Sequence, residues 1–437
     1  MKHSLKFTLK RHWNSTLRNA LSILPRVLRF ALYRWMVNIE SNPDERLVLK
    51  IADSKEELEA CFKLLHDAYV GAGFMKPDPS GMRATIYHAL PTTTTLCAKF
   101  DGKVVGTLSL IRESTFGFPL QSAFDLHEIR ARGGRIAEAS ALAVHPDFRK
   151  TSGSIMFPLM KFMYEYCHDY FDTTNLVIAV NPNRIEMYES LLCFERLEQA
   201  EVENYDFANG APAVGACLNM NTARASFKKI YGGRSRQKNL YAYFVKTRLK
   251  NIVMPNRRYF TTNDPVMTPD LLDYFFNQCT KGFDKLGQHQ LRLLRDIYDN
   301  EEYAKVLPPM EDGQDSQFGK RKHLRYSLIC PAEFLYTANA GTTSTRLRVV
   351  ELSETGFLAY TKQELPERVW GEAIVQLGAK ERSVVRAMVM RSKHKGEGGM
   401  YGFKLDEPDL SWRKFVGALQ FGATHEDLAY ATQFLGE

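Results

Sequence analysis

The sequence predicts an α+β protein: a mixed sheet flanked by helices, a helical connector, and a small all-β barrel. Three observations predict it. Helical and strand periodicities alternate over residues 48–230, two helical segments follow within 271–300, and short strand-like runs separated by turn residues fill the chain after residue 321. The chain has 437 residues, which is too long for one ordinary core, so we expect more than one domain.

These patterns divide the chain into five segments. They are a basic amphipathic arm (1–45), a sheet domain (46–230), a helical connector (231–306), a polar linker (307–320) and a barrel (321–437).

The excess positive charge of the chain is concentrated in the arm. Residues 1–39 hold eight Lys or Arg and no acid, and the whole-chain net charge is +8. Leucines at 17, 21, 24 and 28 recur at helical spacing, which is typical of a helix lying on an anionic membrane. A helix packed on the protein and a disordered arm are the alternatives. Because the basic field is confined to the arm, we expect no nucleic-acid partner.

Cysteine usage indicates a reducing compartment. The seven cysteines are scattered singly, with no CxxC pair. No His or Cys spacing is typical of a metal site, so none is expected. No run is long enough to span a bilayer. We expect a cytoplasmic protein, peripheral at the inner face of the membrane if the arm binds there.

The sheet domain begins with clear elements. A short strand over 48–51 precedes a helix over 55–70, whose apolar residues share one side. Strands over 95–100 and 103–111 flank Asp101-Gly102, which is a strong hairpin signal. A strand over 176–180 and a helix over 181–192 complete the pattern.

The stretch RIAEASALAVHPDFR, residues 135–149, is the centre of the sheet domain. Strict alternation would place Glu138, Ser140, Leu142 and Val144 on one face and small alanines on the other. Pro146 ends the strand, and a basic turn then leads into a helix over 155–170. A strand, a basic turn and a helix N-terminus together predict a phosphate-binding place.

Several motifs of this region resemble the GNAT acyltransferases. They are FDGKVVGTLSL, GFP leading to Phe124, AEASALAVHPDFR, VNPNRIEMYESLLCFERL and NGAPA. Within that superfamily the sequence is similar to the N-acyl amino acid synthases, relatives of the acyl-homoserine lactone synthases, over roughly residues 50–225. The resemblance implies a long-chain acyl thioester donor, an amine acceptor and no tightly bound cofactor.

The donor turn departs from the usual GNAT pattern. Residues 149–154 read RKTSGS, with one glycine where R-x-x-G-x-G/A is usual for free acetyl-CoA. This longer turn fits the single phosphate of acyl carrier protein at least as well as CoA. The predicted donor-binding residues are Leu142, Val144, Arg149, Lys150, Gly153 and Ser154.

Acyl transfer requires a base, oxyanion donors and an acid. Glu138 is predicted to orient or deprotonate the amine, and backbone N–H groups near 142–144 to hold the oxyanion. The resemblance to GNAT enzymes implies that Tyr188 protonates the leaving sulfur. Ser140 lies on the same predicted face as Glu138 and is included as a candidate. A surface ion pair for Glu138, core packing for Tyr188 and a solvated charge for Arg149 are the alternatives.

The C-terminal segment resembles PilZ domains, which bind cyclic di-GMP. Arg321 and Arg325 form RxxxR, and Glu351-Leu-Ser353-Glu-Thr-Gly356 stands where D/N-x-S-x-x-G is usual. Paired arginines suit the phosphates and guanine edges of a dinucleotide. Glu351 replaces the usual Asp or Asn, so its carboxylate stands one methylene further from the backbone. A barrel used only for contacts is the alternative.

Together these patterns predict a long-chain N-acyltransferase that acts on an amino acid or related amine and is regulated by cyclic di-GMP. Two alternatives remain open from the sequence. One is a short-chain acyl-CoA-dependent N-acetyltransferase, and the other is a non-catalytic cyclic di-GMP receptor with an acyltransferase-like interaction domain.

Overall fold

The structure is a computed structural model. It describes residues 24–420 apart from 113, 115, 133–134, 150, 152, 171–172, 199–200, 209, 256–266, 299–300, 310–324, 339–340, 378–381 and 395–398.

The sheet domain contains eight strands and seven helices among the described residues. The strands are β1 Leu47–Ile51, β2 Thr93–Phe100, β3 Lys103–Arg112, β4 Ile136–Val144, β5 Asn175–Val180, β6 Glu195–Arg196, β7 Val202–Tyr205 and β8 Ala211–Asn219. The helices are α1 Arg26–Met36, α2 Lys55–Ala72, α3 Ile86–Ala89, α4 His127–Ala131, α5 Met156–Asp169, α6 Pro182–Leu192 and α7 Met220–Tyr231.

The sheet is mixed, as the sequence predicts. Its strand order is β1-β2-β3-β4-β5-β8-β6, with β7 paired to β8. Neighbouring strands are antiparallel except β4 and β5, which are parallel. The β2–β3 turn forms at Asp101 and Gly102, which both adopt positive φ, as an Asp-Gly hairpin turn requires.

Helices cover both faces of the sheet. One face packs against α5, where Leu159 and Phe162 are fully buried. The segment after α7 joins the same core through Leu240 and Phe244, so this core extends past residue 230. The other face packs against α2 and against the connector, whose Phe275 contacts Phe62 of α2 with ring centroids 5.1 Å apart.

A bulge in β4 changes which residues share a face. Ala141 has φ of 54°, and the β3–β4 register shifts between Thr107 and Ser109. Before the bulge Ala137 belongs to the α5-side core, whereas after it Ala141 and Ala143 belong to the α2-side core. The strict alternation predicted for this strand is therefore wrong. Leu142 and Val144 lie on the α5 side, and the bulge separates them from Glu138.

The connector packs on the sheet domain as a helical segment. Its elements are α8 Pro269–Leu272, continued by a π-helical segment Asp273–Cys279, then α9 Gln288–Ile297 and α10 Glu301–Ala304. Thr268 caps the first helix with its side chain, and Pro269 occupies the first turn. Tyr298 is buried and donates a hydrogen bond to the Ala89 carbonyl of the sheet domain.

The C-terminal segment forms a closed six-stranded barrel. Its strands are β9 Tyr326–Ala338, β10 Gly341–Ser353, β11 Gly356–Thr361, β12 Trp370–Gln376, β13 Arg382–His394 and β14 Gly399–Leu405, followed by α11 Leu410–Gln420. The barrel has its own core, which includes Phe334, Phe403 and Trp412. The predicted small all-β barrel is confirmed.

The predicted N-terminal helix is present in part. It forms α1, whereas Leu17 and Leu21 lie outside the described residues. None of the helices in the described part of the chain is long and apolar enough to cross a bilayer.

Candidate active site

The site begins where β4 and β5 separate. The two strands pair only from Ile136–Asn175 to Glu138–Val177, although both continue beyond that point. Beyond Glu138, the edge of β4 that faces β5 is open, so its backbone polar groups can serve a ligand. The bulge at Ala141 lies at the start of this opening.

A cavity of about 230 Å³ fills the opening. One part of its wall is apolar, and another part carries polar side chains. The apolar part includes Leu108, Met160, Met163, Ile178 and Phe194, and the polar part includes Ser140, Asn181, Arg184, Tyr188 and Tyr205. Such a wall suits a ligand with an acyl chain and a polar reacting end.

Glu138 is buried next to this cavity and does not line it. Its side chain is 1% exposed and accepts hydrogen bonds from the backbone N–H of Leu120, at 3.0 Å, and from the Ser140 hydroxyl. Burial raises the pKa of the carboxyl to about 8. Glu138 therefore does not form the surface ion pair that was the alternative, and it can exchange a proton with the cavity through Ser140.

Ser140 connects the carboxyl with the cavity wall. It lines the cavity and lies opposite Ser109 across the β3–β4 pair. Ser109 in turn is 3.2 Å from Nε2 of His88, which is buried. Burial lowers the pKa of His88 to about 3, so the ring is neutral and acts as a structural partner.

Helix α6 presents three polar residues to the cavity. Asn181, Arg184 and Tyr188 recur at helical spacing and all line it. Tyr188 packs edge-on against Phe194, and burial raises the pKa of its phenol. The predicted acid thus lies at the cavity, and it also packs against the core as the alternative suggested.

Tyr205 and its neighbours form a part of the site that the sequence did not predict. The Tyr205 hydroxyl is buried, lines the cavity and has no hydrogen-bond partner among the described residues. Arg83 lies beside it, with its guanidinium 4.1 Å from the Tyr69 ring and bonded to the Phe207 carbonyl at 2.6 Å. These residues come from segments that are distant in sequence. The only local signal for them is the pair of aromatic residues in YDF at 205–207.

The predicted donor residues are divided between two places. Leu142 lines the cavity, whereas Gly153 and Ser154 line a separate cavity of about 230 Å³ with Asn38 and Glu40. Gly153 has φ of 84°, and an added Cβ would lie 2.6 Å from Phe157, so the turn requires glycine.

Arg149 and Val144 meet at the start of this turn. Arg149 is exposed, and its Nε donates to the Val144 carbonyl at 2.7 Å, which fixes the guanidinium beside the strand end. Lys150 lies outside the described residues.

The barrel brings four of the five predicted dinucleotide residues together. Arg325, Glu351, Ser353 and Gly356 line a cavity of about 660 Å³, and Arg321 lies outside the described residues. Arg325 forms an ion pair with Glu351 at 2.7 Å. Gly356 cannot be replaced easily, because an added Cβ would lie 2.4 Å from the Phe403 carbonyl oxygen.

Comparison with known families identifies the activity class. Residues 60–219 match the model of the family N-acyl amino acid synthase FeeM. The matched region contains β4, α6 and most of the cavity wall. The protein is an acyltransferase. A search of curated proteins found no match for this chain.

Three solved structures resemble the same part of the chain. FeeM, an N-acyl amino acid synthase from uncultured soil microbes, is 22% identical, with 41% of this chain and 94% of that one covered and a TM-score of 0.35. The acyl-homoserine lactone synthase LasI is 16% identical, with 43% and 96% covered and a TM-score of 0.32. The CoA-dependent acyl-homoserine lactone synthase BjaI, with SAM and isopentyl-CoA, is 21% identical, with 43% and 91% covered and a TM-score of 0.31.

The buried carboxyl makes stability depend on pH. Its pKa of about 8 in the folded protein lies above the ordinary value of 4.5, so the folded state binds an extra proton between these values. The free energy of unfolding should therefore fall as the pH rises through this interval, by roughly 5 kcal/mol from this group. Glu138→Gln removes the titration and keeps an oxygen for Leu120. We expect thermal unfolding midpoints from pH 5 to 8 to fall less in the variant; parallel curves would contradict this account.

Proposed function

We propose that the protein transfers a long-chain acyl group from a thioester to the amine of an amino acid or related compound. The observation that carries this proposal is the apolar cavity at the β4–β5 opening, adjoining a buried carboxyl within the region that matches the N-acyl amino acid synthase family. The apolar wall suits the acyl chain, and the polar wall suits the reacting groups.

The amine must be neutral to attack. With a pKa of about 8, Glu138 is matched to an ammonium group that must lose a proton near neutral pH. The proton passes through the Ser140 hydroxyl, which lines the cavity, to the carboxylate. The amine nitrogen then forms a bond with the thioester carbonyl carbon.

The remaining steps need an oxyanion site and an acid. Backbone N–H groups on the open edge of β4 after Glu138 are suited to hold the oxyanion. When the C–S bond breaks, the Tyr188 phenol gives its proton to the thiolate, and the second proton that the nitrogen must lose to become an amide restores the phenol. Its raised pKa keeps the phenol protonated until then.

The acceptor is held at the end of the cavity formed by Tyr205. The unpartnered Tyr205 hydroxyl offers a hydrogen bond, and the guanidinium of Arg83 supplies a positive charge near it. A carboxylate next to the reacting amine fits this pair, which favours an amino acid over a simple amine.

The donor is acyl carrier protein in this proposal. Arg149 is exposed at the strand end, where its guanidinium is suited to one phosphate. The turn that follows contains a single glycine, Gly153, which supports a phosphopantetheine phosphate over the pyrophosphate of CoA.

The barrel binds cyclic di-GMP and regulates the transfer in this proposal. Its cavity carries Arg325, Ser353 and Gly356 at the entrance from the linker. Dinucleotide binding by Arg325, and by Arg321 at the start of the barrel segment, would act directly next to the linker that joins the connector to the barrel. The ion pair with Glu351 must open first, because Arg325 is held by that carboxylate.

The first prediction concerns the donor and the product. Purified protein should acylate amino acids from long-chain acyl carrier protein faster than from acetyl-CoA, and mass spectrometry of the product identifies both groups. Glu138→Gln should lower kcat/KM by about 100-fold or more, because the proton acceptor is lost. Faster transfer from acetyl-CoA would favour the short-chain alternative, and absence of transfer from any donor would contradict the proposal.

The second prediction concerns the acceptor. Tyr205→Phe should raise the KM for the amine about tenfold and change kcat less, because one hydrogen bond to the bound acceptor is lost. Tyr231→Phe is the matched control, since that buried hydroxyl bonds the Ser190 and Leu191 carbonyls and does not line the cavity. Equal effects of the two variants on KM would contradict a binding role for Tyr205.

The third prediction concerns the barrel. Titration calorimetry should show cyclic di-GMP binding that Arg325→Ala weakens and Glu351→Asn strengthens, each by about tenfold, because the ion pair competes with the ligand. Arg386→Ala, which removes an exposed pair with Asp406, should leave binding unchanged. Acyl transfer measured with and without the dinucleotide tests regulation, and binding with unaltered kinetics would contradict it.

A further inference from the structure

Helix α1 is attached to the sheet domain by its charged residues. Arg26 pairs with Glu189 at 2.8 Å, and Arg29 donates from Nε to both carboxylate oxygens of Glu186 at 3.0 Å. Arg34 donates to the Ser190 carbonyl at 2.9 Å. All three acceptors belong to α6. These three arginines therefore bind α1 to α6. In a helix attached to a membrane by its charges, they would instead contact lipid headgroups.

The apolar residues of α1 face outward instead. Val27 is 78% exposed, Trp35 is 66% exposed and Met36 is 64% exposed. Leu24 and Leu28 are exposed as well, so the segment 24–36 holds five of the eleven large hydrophobic residues exposed in the described part of the chain. Single exposed hydrophobic residues are ordinary, but a continuous stripe on one helix indicates a binding surface.

Positive charge surrounds this stripe. Lys238 lies 4.9 Å from the Trp35 ring and donates to the Trp35 carbonyl, and Arg236 next to it is exposed. Five further basic residues precede the helix in sequence, with no acid before residue 40. The sequence pattern also continues the stripe to Leu17 and Leu21. An apolar stripe with a Trp and a cationic border matches an anionic bilayer, where the ring lies at headgroup level.

We propose that the outward face of α1, formed by Leu24, Val27, Leu28, Ala31, Trp35 and Met36, binds the surface of an anionic phospholipid bilayer. The helix lies in the plane of the interface, with these side chains among the acyl chains and Lys238 and Arg236 at the phosphates. The surface is independent of the catalytic proposal, because it uses none of the residues that line the cavity.

This surface lies one helix away from the cavity. Helix α6 carries Glu186 and Glu189 towards α1, and it carries Arg184 and Tyr188 towards the cavity. Packed helices are about 8–10 Å apart, so a bilayer bound at α1 lies within about two helix diameters of the acyl site. An amphiphilic acylated product would be released close to the membrane.

The test is co-sedimentation of the full chain with phosphatidylcholine vesicles that contain or lack phosphatidylglycerol. We expect binding to the anionic vesicles that weakens with added salt. Val27→Glu/Leu28→Glu should weaken it by at least about tenfold, because two apolar side chains leave the bilayer. The matched control is Val253→Glu/Val384→Glu, which adds the same charge at exposed positions elsewhere. It should bind almost as the unaltered chain does.

Fluorescence of Trp35 gives a second readout. In a Trp13→Phe/Trp370→Phe background, Trp35 emission should shift to the blue on binding and be quenched by brominated lipid, whereas buried Trp412, the other remaining tryptophan, should not respond. Circular dichroism of each variant verifies folding. Unchanged vesicle binding by Val27→Glu/Leu28→Glu would overturn the proposal. A change in self-association without vesicle binding would also overturn it, since it would assign the face to a second copy of the chain.

Discussion

The site depends on the separation of β4 from β5. β4 must pair with β3 along most of its length, yet it pairs with β5 over only three positions. The bulge at Ala141, with a positive φ that a non-glycine residue rarely adopts, changes the direction of the strand at this point. Without it the two parallel strands would continue side by side, and their backbone groups would satisfy each other. The cavity, the open strand edge and the access of Ser140 to the cavity all follow from this one irregularity.

The same irregularity explains how the Glu138 carboxyl can be buried and still connect to the cavity through a hydrogen bond. Glu138 is the last β4 residue that pairs with β5, so its side chain lies under the loop that contains Leu120 and away from water. Burial favours its protonated form, and two hydrogen bonds to the carboxylate partly offset that effect. Ser140, two residues later, lies at the cavity wall. The proposed proton acceptor is therefore kept out of solvent, with the Ser140 hydroxyl between it and the cavity.

The connector links this site to the rest of the chain by packing. Phe275 packs on Phe62, whose carbonyl accepts the backbone N–H of Arg83. At its other end, Arg295 donates to the carbonyl of Pro308, the second residue of the linker. A rearrangement of the linker would thus act on a helical segment that also supports the Arg83 side of the cavity. The proposed regulation would act through these contacts.

Local pattern determined much of this protein. Periodicity and turn chemistry predicted the Asp101-Gly102 hairpin and helix α5, because each depends mainly on residues close in sequence, and the spacing of short strands predicted the barrel. Motif spacing also pointed to Glu138, Tyr188 and Arg325. Only the tertiary structure decided which side chains meet. It moved Leu142 to the other face, brought Tyr205 to Arg83, and joined the arginines of α1 to acceptors on α6. A bulge, a distant neighbour and an ion pair between helices are set by long-range packing, which local periodicity does not encode.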